Sequence, residues 1–333
     1  MDQNSGTNAA TAYSALLNDH AEQFLLKLKA DRFPGCAYLT IENIRAMLAE
    51  VAWLAGEPEP ISRVEDFQIP GNPGISARLY MPEAVQPPPI IVYFHGGGWI
   101  GGDYSYIDAP VRVLANRSGC AILSVNYRLA PECKYPAALD DAYAAVTWAS
   151  REGEKFGWDA SKLAVAGDSV GGNLAAAVAL RSRDQNGPPI AFQLLVYPIL
   201  DHDYETESYR LFGSWGILTR TDSTWYHCHY VNHPDELDLP YVSPLRCRDL
   251  ADLPEALILL PEADPLRDEG LVYAKRLIEA GVSATAKVYT GSIHGFWQFG
   301  AVMPEAWNAI EDAAEAIRSR LSKEEERSHG TLT

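Results

Sequence analysis

The sequence predicts an α/β fold: a mostly parallel sheet flanked by helices, with a helical cap. Three observations carry that prediction. Short apolar runs without alternation recur from about residue 90 onward, at 89–94, 121–125, 162–166, 192–197 and 256–260. Strands covered on both faces read this way. Stretches of helical period separate them, at 138–150, 170–183, 269–280 and 304–321, and strands alternating with helices build a parallel sheet. The length of 333 residues, 47% of them hydrophobic, is ample for such a core.

Ahead of the alternation, residues 64–69 and 75–80 flank the turn PGNPG and predict an antiparallel hairpin on the sheet edge. Two segments fall outside it. Residues 1–55 hold amphipathic helical stretches at 21–28 and 41–54, and residues 201–233 are rich in aromatics and histidine. The expected division is an N-terminal cap segment, 1–55, and a catalytic domain, 56–330, with a second cap segment inserted at about 201–233. Such a lid belongs over the C-terminal ends of the strands, where open α/β sheets bind ligands.

The net charge of −17 makes nucleic acid and anionic membrane surfaces poor partners. Cys36, Cys120, Cys133, Cys228 and Cys247 form no CxxC pair, which suits a reducing compartment. The first residues lack a basic stretch followed by an apolar one, and no apolar run nears the roughly 20 residues that span a bilayer. The expectation is a cytoplasmic protein with a frayed polar tail, 322–333, in which the sequon at Asn116 carries no meaning.

The chemistry centres on VAGDSVGGNL, residues 165–174. Gly167-Asp168-Ser169-Val170-Gly171 fits G-x-S-x-G between the strand LAVA and the helix NLAAAVALR, the setting of a strained turn that exposes a nucleophilic serine. The glycines allow neighbouring backbone to close in, and the helix N-terminus favours developing negative charge. A glycine-rich turn with a helix-capping serine is the plainer alternative.

A serine needs a base, and the base needs an acid. His294 lies in GSIHGF, a loop after the strand AKVYT. Asp264 follows the apolar run EALILLPEA. Asp268 and Glu269 are rival acids, but they fall where a first helical turn favours carboxylates. His95-Gly96-Gly97-Gly98-Trp99 ends the strand PIIVYF. Its N–H groups, with that of Val170, suit a tetrahedral oxyanion, each donor being worth about 2.7–4 kcal/mol. A phosphate loop is the alternative, but no GK[ST] follows. His95 reads as a residue that shapes the loop.

HGGGW, VNYRLAPE (125–132), GDSVGG, DPLRDEG (264–270) and HGF (294–296) stand in the order and spacing of the hormone-sensitive lipase-like (family IV) esterases, and the chain resembles that family from about residue 64 to its last helix. The resemblance implies an α/β-hydrolase core, a helical cap and carboxylic ester hydrolysis without a cofactor or metal. By position, Ser169 is the implied nucleophile, Asp264 the acid, His294 the base, and Gly97, Gly98 and Val170 the oxyanion donors. The family usually has alanine at the place of Val170, so a narrower pocket is expected here. Trp99 and Trp215 are candidates for lining the pocket.

Other signals are weaker. Trp225-Tyr226-His227-Cys228-His229 with His233 has the look of a zinc cluster, but it falls in the aromatic cap segment and is read as structural. Tyr127-Arg128 and Asp140-Asp141 read as hydrogen-bond and ion-pair residues behind the oxyanion loop. The expected activity is that of a serine esterase on short- to medium-chain esters. Acyl transfer and lactone opening are the close rivals, and a ligand receptor on the same scaffold is a third. The expected partners are a small ester and, at most, a second copy of the chain.

Overall fold

The computed structural model describes residues 16–71, 74–84 and 86–322. Two positions of the PGNPG turn and the expected frayed tail from residue 323 lie outside these. The strands are β1 (Arg63–Ile69), β2 (Ile75–Met81), β3 (Pro89–Phe94), β4 (Ala121–Asn126), β5 (Asp159–Asp168), β6 (Phe192–Val196), β7 (Glu255–Ala263) and β8 (Ala284–Ile293). They form one sheet in the order β1-β2-β4-β3-β5-β6-β7-β8. The hairpin strand β2 runs antiparallel to β4, and every pair from β4 to β8 is parallel.

The α-helices are α1 (Asp19–Ala30), α2 (Ile41–Glu50), α3 (Asp108–Ser118), α4 (Ala137–Phe156), α5 (Val170–Asp184), α6 (Glu207–Phe212), α7 (Arg220–Tyr230), α8 (Arg267–Glu279) and α9 (Glu305–Ser322). Alternate residues of β3 explain how they divide. Ile90, Val92 and Phe94 face a core made with α4, α5 and α8, while Ile91 and Tyr93 face one made with α3 and α9. Strand side chains alternate between faces, so an unbroken apolar run serves both layers. Helix α3 is an element the sequence reading omitted. Its signals were present: Asp108 in the first turn and Gly119 closing it at φ 68°.

Register places the functional loops. Phe94 pairs with Gly167, so the chain leaving β3 and the chain leaving β5 emerge side by side. Ala263 pairs with Ile293, which brings the residues following β7 and β8 together in the same way. The segment between β6 and β7 carries α6 and α7, and α7 packs on the short 3-10 turn Cys36–Tyr38 near the N-terminus.

Candidate active site

Ser169 sits between β5 and α5 at φ 55° and ψ −118°, a region that costs a non-glycine residue on the order of 1–3 kcal/mol. Its side chain makes no capping hydrogen bond, so the helix-cap alternative fails. The glycines are sterically required. A Cβ on Gly171 would lie 1.9 Å from the Phe94 carbonyl oxygen, and one on Gly167 2.3 Å from the Gly171 backbone. The Ser169 N–H donates to the Val196 carbonyl at 2.8 Å, fastening the turn to β6.

His294 follows β8, and its Nε2 lies 3.2 Å from Ser169 Oγ. Its Nδ1 lies 2.8 Å from Asp264 Oδ2. Asp264 is fully buried, and its other oxygen accepts the Leu266 N–H at 2.9 Å. An ionised carboxylate only accepts, so Nδ1 carries the proton and Nε2 is free to accept from the serine. The Tyr197 ring packs 4.7 Å from the imidazole. The rival acids point elsewhere. Asp268 accepts the Ser208 N–H at 2.8 Å, and Glu269 accepts the N–H groups of Leu200 and Asp201. Both tie the start of the inserted segment to α8.

The glycine loop after β3 lies against Asp168, next to Ser169 in the chain: a Cβ on Gly96 would lie 2.3 Å from Asp168 Oδ2. Gly97 and Gly98 have φ 116° and 67°. The Gly97 carbonyl accepts from Ile100 and Gly101, while its own N–H and that of Gly98 make no hydrogen bond among the described residues. The Val170 N–H is in the first turn of α5, where no carbonyl of the helix can reach it. The Val170 side chain is 3% exposed and packs into the core. The narrowing of the pocket expected from its extra bulk therefore has almost no surface to act through.

One residue that sequence reasoning passed over joins these parts. Asp168, just before the serine, is 1% exposed. Its Oδ1 accepts the Tyr93 hydroxyl at 2.9 Å and the Gly96 N–H at 3.0 Å, and its Oδ2 accepts Gln298 Nε2 at 2.6 Å. One carboxylate thus links the nucleophile turn, the glycine loop and the loop after His294. Burial outweighs these donors and pushes its carboxyl up to about 7. The only local signal was an acid beside the serine; its partners lie 72 to 130 residues away.

The remaining candidates take structural places. His95 is buried, stacks 4.4 Å from Tyr127 and is held near pKa 4 by burial, so it is a neutral loop residue. Arg128 pairs with Asp141 at 2.7 Å and Asp140 with Arg181 at 2.6 Å. Trp99 has no exposed surface and stacks on Tyr230 at 4.1 Å, so its ring serves packing between loop and α7 and presents no wall to a substrate. Trp215 is half-buried against the core that holds Phe212 and Trp297. The histidines of the would-be zinc cluster diverge. His227 is buried with Nδ1 2.7 Å from the Tyr204 hydroxyl oxygen, and His229 Nδ1 lies 2.9 Å from the Trp225 carbonyl. Among the described residues no cluster of histidine, cysteine and carboxylates is arranged to hold a metal ion.

Comparison with known proteins places the chain in a family. Residues 91–298 match a family model described as alpha/beta hydrolase fold. The chain is 38% identical over 311 residues to the carboxylic ester hydrolase LipN of Mycobacterium tuberculosis, covering 89% of this chain and 82% of that one. It is 35% identical to an ethyl acetate hydrolase of Pseudomonas putida, covering 92% and 99%. Among solved structures, a hyperthermophilic esterase from the archaeon Pyrobaculum calidifontis superimposes with a TM-score of 0.87 at 39% identity, covering 91% and 98%. The chain belongs to the hormone-sensitive lipase-like carboxylesterase family of α/β hydrolases.

Proposed function

We propose that Ser169, His294 and Asp264 carry the reaction of this carboxylic ester hydrolase, with Gly97, Gly98 and Val170 donating to the oxyanion. The support is the continuous arrangement Asp264–His294–Ser169, at 2.8 and 3.2 Å, together with three N–H groups that have no hydrogen-bond partner among the described residues.

His294 Nε2 takes the proton of Ser169 Oγ as the oxygen attacks the ester carbonyl carbon. The carbonyl oxygen becomes an anion facing the three N–H groups, which are already oriented when charge develops. Asp264 keeps the imidazole in the productive tautomer and stabilises the imidazolium. The same proton then passes from Nε2 to the departing alkoxide, leaving an acyl group on Ser169. Water, deprotonated by His294, attacks that acyl group, and the acid departs as the serine regains its proton.

Residues 1–55, of which 1–15 lie outside the described residues, and about 201–233 are assigned to the cap in this reading, with Trp215 lining the substrate pocket, and the acyl chains accepted are short to medium. A relative that hydrolyses ethyl acetate supports the short end. Acyl transfer and lactone opening would use the same acyl-enzyme, and a receptor would keep the pocket without turnover, but no observation favours them. A cytoplasmic location is supported by five unpaired cysteines, and no described helix is long and apolar enough to cross a membrane. A homodimer is supported by the place of β8 at the end of the sheet, and light scattering measures it. The functional test is hydrolysis of p-nitrophenyl esters from acetyl to lauryl. The expected result is a short-chain maximum that falls by at least about 10³-fold in Ser169→Ala; full turnover by that variant contradicts the assignment.

A further inference from the structure

We infer that Tyr226, on the inserted helix α7, is a positioning residue for the oxyanion loop, so that the cap segment fixes catalytic geometry as well as covering the site. The inference rests on reading Gly98 as an oxyanion donor.

Gly98 and Trp99 both stand in the left-handed region, at φ 67° and 59°. Glycine enters that region freely and leaves it as freely, while a tryptophan persists there only where its surroundings over-determine it. The surroundings here are supplied by α7. A Cβ on Gly98 would lie 2.2 Å from Tyr226 Cε1 and 2.3 Å from its Cδ1, so the ring rests directly on the Gly98 α-carbon. One turn on, Tyr230 stacks on Trp99 with planes 2° apart, and His227 lies 5.5 Å from the same indole. Residues 226, 227 and 230 share one helix face, and that face holds two consecutive loop residues.

The ring of Tyr226 is itself held from behind. Its hydroxyl lies toward the buried Cys36 side chain. One turn earlier on α7, Asp222 Oδ1 accepts the Ala37 N–H at 2.8 Å. The N-terminal segment therefore presses α7 onto the loop. Rotation of the peptide before Gly98, which would turn its N–H away from the oxyanion, is blocked on the Tyr226 side by the ring.

The test uses the full chain with p-nitrophenyl acetate, and measures inhibition by an aryl trifluoromethyl ketone, whose hemiketal oxyanion with Ser169 occupies the same hole. Tyr226→Ala is expected to lower kcat on the order of 10- to 100-fold, the scale of an ångström of misplacement. KM should stay within about threefold, and inhibitor affinity should fall in proportion to kcat/KM. Tyr226→Phe keeps the ring and should recover kcat to within about threefold of the parent. Tyr226→Leu, which preserves bulk and guards against loss of folding in the alanine variant, should fall between them, with unfolding temperatures recorded for all three. Parental kcat in a folded Tyr226→Ala or Tyr226→Leu overturns the inference. So does a change confined to KM, or a loss of kcat with inhibitor affinity intact. Turnover by Ser169→Ala would instead overturn the site assignment beneath it.

Discussion

The nucleophile turn and the oxyanion loop leave the sheet side by side, yet they are held by different means. The turn at Ser169 is braced by backbone: Gly171 against the Phe94 carbonyl, and the Ser169 N–H on the Val196 carbonyl. The loop at Gly96–Trp99 is braced by side chains from distant elements. Asp168 takes the Gly96 N–H, Tyr226 covers Gly98, and Arg45 of α2 donates to the Ile100 carbonyl at 2.8 Å. A nucleophile has one required position, which rigid backbone supplies. On the proposed assignment, the oxyanion donors are held through groups of the N-terminal and inserted segments, so changes in those segments reach catalysis.

Substitutions can break that contrast. The largest effect is expected for Gly171→Ala, because its Cβ would meet backbone that cannot yield. Activity should fall by at least about 10³-fold with a lowered unfolding temperature, as for loss of the nucleophile itself. Gly98→Ala should cost on the order of 100-fold, but its clash is with a side chain. Adding Tyr226→Ala to it should recover part of the loss, a non-additivity that a double-mutant cycle measures and that no second substitution should provide for Gly171→Ala.

Asp168→Asn is expected to lower kcat about tenfold by loosening Gly96 and Gln298 together. It should also change how stability depends on pH. The native carboxyl holds its proton up to about pH 7, whereas the unfolded chain releases it near 4. Between those values the native state binds the extra proton, so this group's contribution to stability falls as pH rises toward 7 and is level above it. The asparagine variant lacks that slope, and urea midpoints at pH 5 and pH 8 compare the two. The smallest effect, a few-fold in kcat, is expected for Arg45→Ala, since its ion pair with Glu132 is at the surface and only its contacts with the Ile100 and Ala130 carbonyls bear on the loop.

The same contrast marks what was legible in the sequence. Ser169 and Asp264 each follow a strand with a buried apolar run, and such a run followed by a chemically distinctive residue is a local signal; His294 follows the half-exposed edge strand β8 and is marked by the glycine after it. The glycines of both loops were legible because steric need writes itself into residue type. The braces were not. Asp168 looks like any acid in a turn, and nothing near Tyr226 points to Gly98, 128 positions earlier. Trp99 was read as a pocket residue because it follows the glycines, but the left-handed backbone there turns its ring into the packing with Tyr230. Helix α3 was passed over although its start and stop signals are ordinary. The inserted segment lacks an alternating pattern, and only its aromatic content hinted at the stack that α7 makes on the loop.

The central claim, that Ser169 is a nucleophile activated by His294, is tested most directly by labelling the intact protein with a fluorophosphonate and mapping the adduct by mass spectrometry. The account predicts one adduct per chain, on Ser169, with labelling slowed by at least about 10²-fold in His294→Ala. An adduct on another residue, or labelling of Ser169 that proceeds unchanged without His294, would contradict it.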